Sequence, residues 1–253
     1  MRNFAPTLPR LAGLLALVVI SACSADSPMD PLAASYAKGG HKPPPPPPPA
    51  HDPVLFVHGL NASSSTWTTM VSRFKNDGWT SAELANWSYD YTRSNATTAN
   101  LIAKKVDSIL KATGAAKVDI ITHSMGAMSA RYYIRNLGGD GKVDALVTLG
   151  GTNHGTTTAS LCSFFWISCV EMIPGSTFLN SLNADDETWG TPRYATWETP
   201  CDEVINPLSS ALLAGALNTQ AACMTHSDLH EDYTVYTEVR DWVNASAVLA
   251  VAP

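Results

Sequence analysis

Continuous apolar runs separated by helical periodicity dominate the middle of the chain. Val54–Val57 (VLFV) reads as a strand buried on both faces, because a half-exposed strand would alternate with polar residues, and Val118–Thr122 (VDIIT) and Val143–Leu149 read as further strands. Between them, Leu101, Val106, Ile109 and Leu110 recur at helical spacing with Gly114 as the stop, and Met125–Leu137 forms a second helical pattern ended by Gly138 and Gly139. A further helix is expected over Trp67–Lys75, closed by Gly78, and a less regular strand over Leu84–Tyr89. Strands alternating with helices imply βαβ units and a mostly parallel sheet with helices on both faces. Beyond Gly150 the pattern weakens to a short strand at Tyr194–Thr196 and a closing helix over Thr234–Val243, and Thr156–Trp189 yields no element.

The N-terminal stretch differs in kind. Arg2 and Arg10 precede an apolar run, Leu11–Ile20, then small residues and Cys23, which is the layout of a secretory signal and too short for a permanent membrane span. The sequence ISAC also resembles a lipoprotein cleavage site, so Cys23 is the expected lipidation site, with ordinary cleavage a few residues later as the alternative. Residues 23–50 then form a Pro-rich tether: the unbroken run Pro43–Pro49 favours polyproline II, a semi-rigid spacer of about 3.1 Å per residue. These features divide the chain into a signal peptide (1–22), a tether (23–50) and one folded domain (51–253), exported to the outer membrane or cell surface as a lipoprotein, or else secreted.

Composition fits that division. With 253 residues, 45% hydrophobic and 15% charged, the chain can bury one core, and its formal charge of -6 argues against nucleic acid as a partner. Five cysteines leave one over in an oxidising compartment, and acylation of Cys23 accounts for it. The spacing of the other four favours Cys162 with Cys169 and Cys201 with Cys223 among three formal pairings. The histidines lack zinc-ligand spacing, so no metal is expected, and no motif calls for a cofactor.

The strongest chemical signal is Thr122-His123-Ser124-Met125-Gly126, set between a buried strand and a helix. A tight turn there lifts a serine hydroxyl above the sheet, where a base can reach it. Thr122 departs from the glycine of the GxSxG pattern, and the plainer alternative is that Ser124 caps the helix. VLFVHGLN supplies a second signal: a loop after an early strand can offer an N–H to a developing oxyanion, for which Leu60 is the candidate beside Met125. A plain β-turn at His58-Gly59 is the alternative. In the chain order serine, acid, histidine, His154 comes too early for the base and would shape the pocket wall, and His226 is preferred over His230 as base. Asp202 is preferred as acid over Glu198, Glu203, Asp185 and Asp186, since a Cys201–Cys223 bridge would fasten its loop to that of His226. Phe164, Phe165 and Trp166, inside the short cysteine loop, would form a lid or acyl-chain wall, or else buried core.

VLFVHGLN, VDIITHSMG followed by RYYIRNLGG, VTLGGTNHGT and PGSTFLNSLN together resemble the small bacterial triacylglycerol lipases, the class 2 lipase family of minimal α/β-hydrolases, from about Pro53 to Val243. Members of that family also replace the first glycine of the pentapeptide, commonly with Ala. The resemblance implies Ser124, Asp202 and His226 as a triad, Leu60 and Met125 as oxyanion donors, and a lipid or ester substrate met at a lipid-water interface. A triacylglycerol lipase is the expectation, with a short-chain carboxylesterase, phospholipase or polyester hydrolase behind it and a catalytically silent binding module as the non-enzyme reading. A monomer is expected.

Overall fold

A computed structural model describes residues 50–249, with side chains to residue 245. The signal segment, Cys23 and the Pro-rich tether lie outside the described residues. Six strands, β1 (Val54–Val57), β2 (Leu84–Asn86), β3 (Val118–His123), β4 (Val143–Leu149), β5 (Arg193–Glu198) and β6 (Leu217–Gln220), form one parallel sheet in the order β2-β1-β3-β4-β5-β6. The helices are α1 (Thr68–Asn76), α2 (Asn95–Thr113), α3 (Gly126–Asn136), α4 (Ile167–Met172), α5 (Thr177–Leu182) and α6 (Tyr233–Leu249).

The apolar runs explain the layering. Successive side chains of β1 and β3 point to opposite faces, so each strand needs a cover on both sides. Phe56 and Ile121 join Phe74 of α1 and Tyr236 of α6 in one core, while Leu55 and Ile120 join Ile102 and Val106 of α2 and Tyr133 and Ile134 of α3 in the other. Ser94 caps α2 through the Ala96 N–H, and Gly114 ends it with φ +74.

β2 is shorter than its sequence suggests. Its continuation leaves the sheet so that Ser88 accepts the Ser64 N–H and Tyr89 stacks on His58 at the end of β1. The edge strand β6 was not legible: LNTQ is mostly exposed and pairs on one side alone. Within 156–189 the chain forms a 3-10 turn (Thr157–Leu161) and the short helices α4 and α5, too brief to show periodicity. Both disulfides pair as the spacing suggested, Cys162–Cys169 and Cys201–Cys223.

Candidate active site

β3 delivers His123 and then turns sharply into α3 at Ser124, which sits at φ +56. A non-glycine residue there stores about 1–3 kcal/mol of backbone strain and persists only where its surroundings hold it. The holding contacts are visible: the Ser124 N–H donates to Leu149 O at 2.9 Å, and its carbonyl accepts from Ala127 at 3.2 Å. The turn also needs glycine on both sides. A Cβ on Gly126 would meet Val57 O at 2.6 Å and His58 O at 2.7 Å, and one on Gly59 would meet Ser124 Cβ at 2.8 Å. Ser124 therefore occupies a strained bend rather than an ordinary cap.

The loop after β1 approaches from the other side. His58 Nδ1–H donates to Gly59 O at 2.9 Å, and its Nε2 accepts the Tyr89 N–H at 3.3 Å. The two rings stack at 4.0 Å, and Tyr89 OH donates to the His58 carbonyl. Burial lowers the His58 pKa, against a smaller opposing effect from Gly59, which keeps the ring in the neutral tautomer those bonds require. The segment is thus a fixed frame, not a plain turn, and Leu60 lines the cavity beneath it. Met125, buried, is the residue from which α3 springs and has no side-chain cap.

Asp202 follows β5, and its Oδ1 accepts the Val204 and Ile205 N–H groups at 2.8 Å each. Its Oδ2 lies 2.8 Å from His226 Nδ1. Burial opposes the Asp202 charge, but the His226 hydrogen bond and charge, with the two backbone donors, outweigh it and hold its pKa below the ordinary value. The His226 N–H donates to Glu203 Oε2 at 3.0 Å, and its carbonyl accepts from His123 Nε2 at 3.0 Å. His226 is thereby fixed at its side chain, its amide and its carbonyl. The Cys201–Cys223 bridge and Thr199 Oγ1, bonded to the main chain at Ala222 and Met224, join the two loops beside this pair.

Ser124 and His226 line one cavity of about 350 Å³, but no hydrogen bond joins them: His226 Nε2 is buried and has no partner among the described residues. With Nδ1–H directed at Asp202, the neutral ring would present the Nε2 lone pair to the cavity.

His230, the rival base, has its Nδ1 3.4 Å from the half-exposed carboxylate of its neighbour Glu231, a longer and wetter pairing than the 2.8 Å contact of His226 with the buried Asp202 carboxylate. It also lines the cavity, but its ring packs on His123 at 4.8 Å and near Trp67 at 5.9 Å. His154 does not shape the pocket wall; it lies 2.7 Å from Glu187 instead. Phe164 and Phe165 are neither wall nor core, being 91% and 79% exposed, while Ala159, Cys162 and Met172 of the neighbouring chain line the cavity. Sequence reasoning gave His123 no role, although its position before Ser124 at the end of a buried strand was a signal. Burial, then the neighbouring His226 and His230, lowers its pKa well below the ordinary value, so it stays neutral with Nε2–H as donor.

A cluster of carboxylates, Asp52, Asp119 and Asp144, lies at the N-terminal ends of the strands, the edge opposite Ser124. Arg193 pairs with Asp144 at 2.8 Å and Lys117 stands at 4.0 Å from it. The groups around Ser124 are histidines and a carboxylate already joined to one another, an arrangement suited to proton transfer rather than to holding an ion.

The sequence profile of the lipase (class 2) family matches residues 51–245. Among solved structures, the mature Bacillus licheniformis lipase BlEst2 superposes with a TM-score of 0.68 at 18% identity, covering 78% of this chain and 94% of that one. Aspergillus fumigatus lipase B gives 0.62 at 13% identity over 79% of this chain and 55% of its own length. The product of Listeria innocua gene lin2722 gives 0.59 at 12% identity, over 76% and 94%. At such identities the likeness concerns the fold.

Proposed function

The chain belongs to the class 2 lipase family, and from that premise we propose that it cleaves carboxylic esters through Ser124, His226 and Asp202, with triacylglycerol as its substrate class. Family membership makes it a lipolytic hydrolase; the serine mechanism and the substrate are our reading. One observation carries it: an imidazole held through Nδ1 by a buried carboxylate lines the same cavity as a serine strained to φ +56, with its Nε2 buried and unpaired. A neutral ring in this setting would have its Nε2 free to take a proton from a hydroxyl in the cavity. The missing Ser124–His226 hydrogen bond is compatible with this, because such bonds often tighten only once substrate fills the site.

In the proposed cycle His226 Nε2 takes the Ser124 proton as Oγ attacks the ester carbonyl carbon. The oxyanion is met by the N–H groups of Leu60 and Met125, the second at the positive end of α3. Collapse breaks the ester C–O bond, and the alcohol leaves with the proton from the imidazolium. Water then attacks the acyl-enzyme by the same path, releasing the acid and restoring Ser124. Asp202 stays ionised, orienting the ring and balancing its transient charge.

The two disulfides fit folding in an oxidising compartment, and we read residues 1–50 as an export signal and lipid-anchored tether. Hydrolysis of p-nitrophenyl esters of increasing acyl length, with emulsified triglyceride alongside, tests the assignment. Wild type should hydrolyse both and be labelled by a fluorophosphonate, and Ser124→Ala should lose both properties. Undiminished hydrolysis by Ser124→Ala would end the proposal.

A further inference from the structure

We propose that the outer face of the disulfide-closed segment Leu161–Val170 is a docking surface for an uncharged lipid-water interface, which rests on the lipolytic reading above and adds how the site meets its substrate. Leu161, Phe164 and Phe165 are 82%, 91% and 79% exposed, and Ile167 and Val170 extend the patch at 50% and 41%. Side chains of this size, grouped and in water, mark a surface that something covers. Ile167 and Val170 also rim a second groove of about 410 Å³ lined by Tyr132, Phe178 and Leu182, so the apolar face continues across α4.

The segment is held in this pose. Cys162 and Cys169 close it, the Phe165 and Trp166 N–H groups donate to Cys162 O at 2.9 and 3.1 Å, and Trp166 packs edge-on against Tyr91 at 5.7 Å. The phenyl rings therefore face outward while the same segment reaches the cavity, which Ala159 and Cys162 line. A surface pressed on these rings would bring the cavity mouth to it.

Charge selects the occupant. From Gly155 to Val170 no Asp, Glu, Lys, Arg or His occurs, and the chain carries a formal charge of -6, so an anionic surface would be repelled and a charged protein partner would find nothing to pair with. A second copy of the chain is a poorer fit. With Ile167 and Val170 counted, the five exposed side chains offer on the order of 600 Å², below the roughly 800 Å² per partner of a stable interface.

The test uses the chain from residue 23 onward carrying Cys23→Ala, so that neither the apolar signal segment Leu11–Ile20 nor an acyl anchor contributes, with and without Phe164→Ser and Phe165→Ser. Flotation with phosphatidylcholine vesicles, using Ser124→Ala versions, reads docking without turnover. The proposal expects binding by the parent chain and a loss of about 100-fold or more in the double variant, while kcat/KM on p-nitrophenyl butyrate is equal in the two catalytically intact proteins and hydrolysis of emulsified triglyceride falls. Equal flotation of parent and variant would overturn it. So would binding only when phosphatidylglycerol is added, or a phenylalanine-dependent dimer in sedimentation with no flotation. Absent hydrolysis of the soluble ester by the intact parent would instead strike the lipolytic mechanism, with the flotation result standing apart from it.

Discussion

Gly59→Ala probes the nucleophile's position without touching a titratable group. The new Cβ would stand 2.8 Å from Ser124 Cβ, 3.1 Å from His123 O and 3.3 Å from Ser124 Oγ, whereas ordinary contact begins at 3.4 Å. At least about 0.6 Å must therefore be found, and neither wall yields easily. Gly59 is fixed by His58 and its stack on Tyr89, and Ser124 by Leu149 O on one side and the close passage of Gly126 against β1 on the other. Overpacking of this kind costs about 1–3 kcal/mol of stability, or a Tm lower by roughly 2–12 °C in a domain of this size. A shift of about 0.5–1 Å at Oγ should lower kcat by about 10- to 100-fold, equivalent to about 1.4–2.7 kcal/mol of barrier. The assay is kcat and KM on p-nitrophenyl butyrate with thermal melting, and fluorophosphonate titration to count active sites. Gly141→Ala is the control, since no heavy atom lies within 4 Å of its built Cβ. A Gly59→Ala enzyme within threefold of wild type in kcat and unchanged in Tm would refute the reasoning, because it would show that the bend has slack.

Asp202→Asn should lower kcat by about 10³- to 10⁴-fold with KM little changed, as loss of the orienting carboxylate does in comparable triads. Because the Asp202 pKa is held below its ordinary value of 3.8, its contribution to stability is complete above that value and disappears as pH falls through the lowered folded one, so the Tm gap between wild type and Asp202→Asn should narrow on acidification. His123→Phe keeps a ring but removes the Nε2–H that meets the His226 carbonyl; a stability loss of about 1–3 kcal/mol is expected, with kcat falling more than KM, and an unchanged kcat would deny His123 a positioning role. Replacing Cys201 and Cys223 with Ser opens a link spanning 22 residues and should cost about 3 kcal/mol in urea unfolding, with kcat reduced because the bridge joins the loops of Asp202 and His226.

The centre of the fold was legible because β1, β3 and β4 are buried on both faces, so each carries consecutive apolar residues (Val54–Val57, Ile120 with Ile121, Ala145 to Val147) where a half-exposed strand would alternate. β4 spans Val143–Leu149, the limits its hydrophobic run suggested. At the sheet's margin that demand lapses. β6 needs no apolar pattern to be an edge strand, and its register rests partly on a hydrogen bond from Thr196 to Asn218, 22 positions away. The six-residue helices α4 and α5 are set by contacts rather than periodicity: Glu171 accepts from Ser94 and from Asn95, and Ser176 caps α5. The candidate site divides along the same line. Ser124 was proposed from its local strand-to-helix context, and the pairing of Asp202 with His226, seen at 2.8 Å, from chain order and paired cysteines. The bond from His123 to the His226 carbonyl joins positions 103 apart and exists only once β3 and the loop after β6 have met.

In the proposed mechanism, that meeting is what lets an imidazole on an irregular loop serve a serine at the end of a strand. Ser124 takes its position from the sheet, through Leu149 and the passage of Gly126 beneath β1. His226 takes its position from the loops after β5 and β6, through Asp202, Glu203 and the Cys201–Cys223 bridge. With only these two sets of contacts, any rocking of the loops against the sheet would change the Oγ to Nε2 separation directly, and catalysis is steeply sensitive to such displacement. His123 belongs to β3 yet bonds to the His226 main chain, so it ties the loop frame to the sheet frame one residue from the nucleophile. A neutral ring suits that task better than a charged one: protonation would put a second cation beside the imidazole that becomes positive in the proposed cycle, and burial already disfavours it.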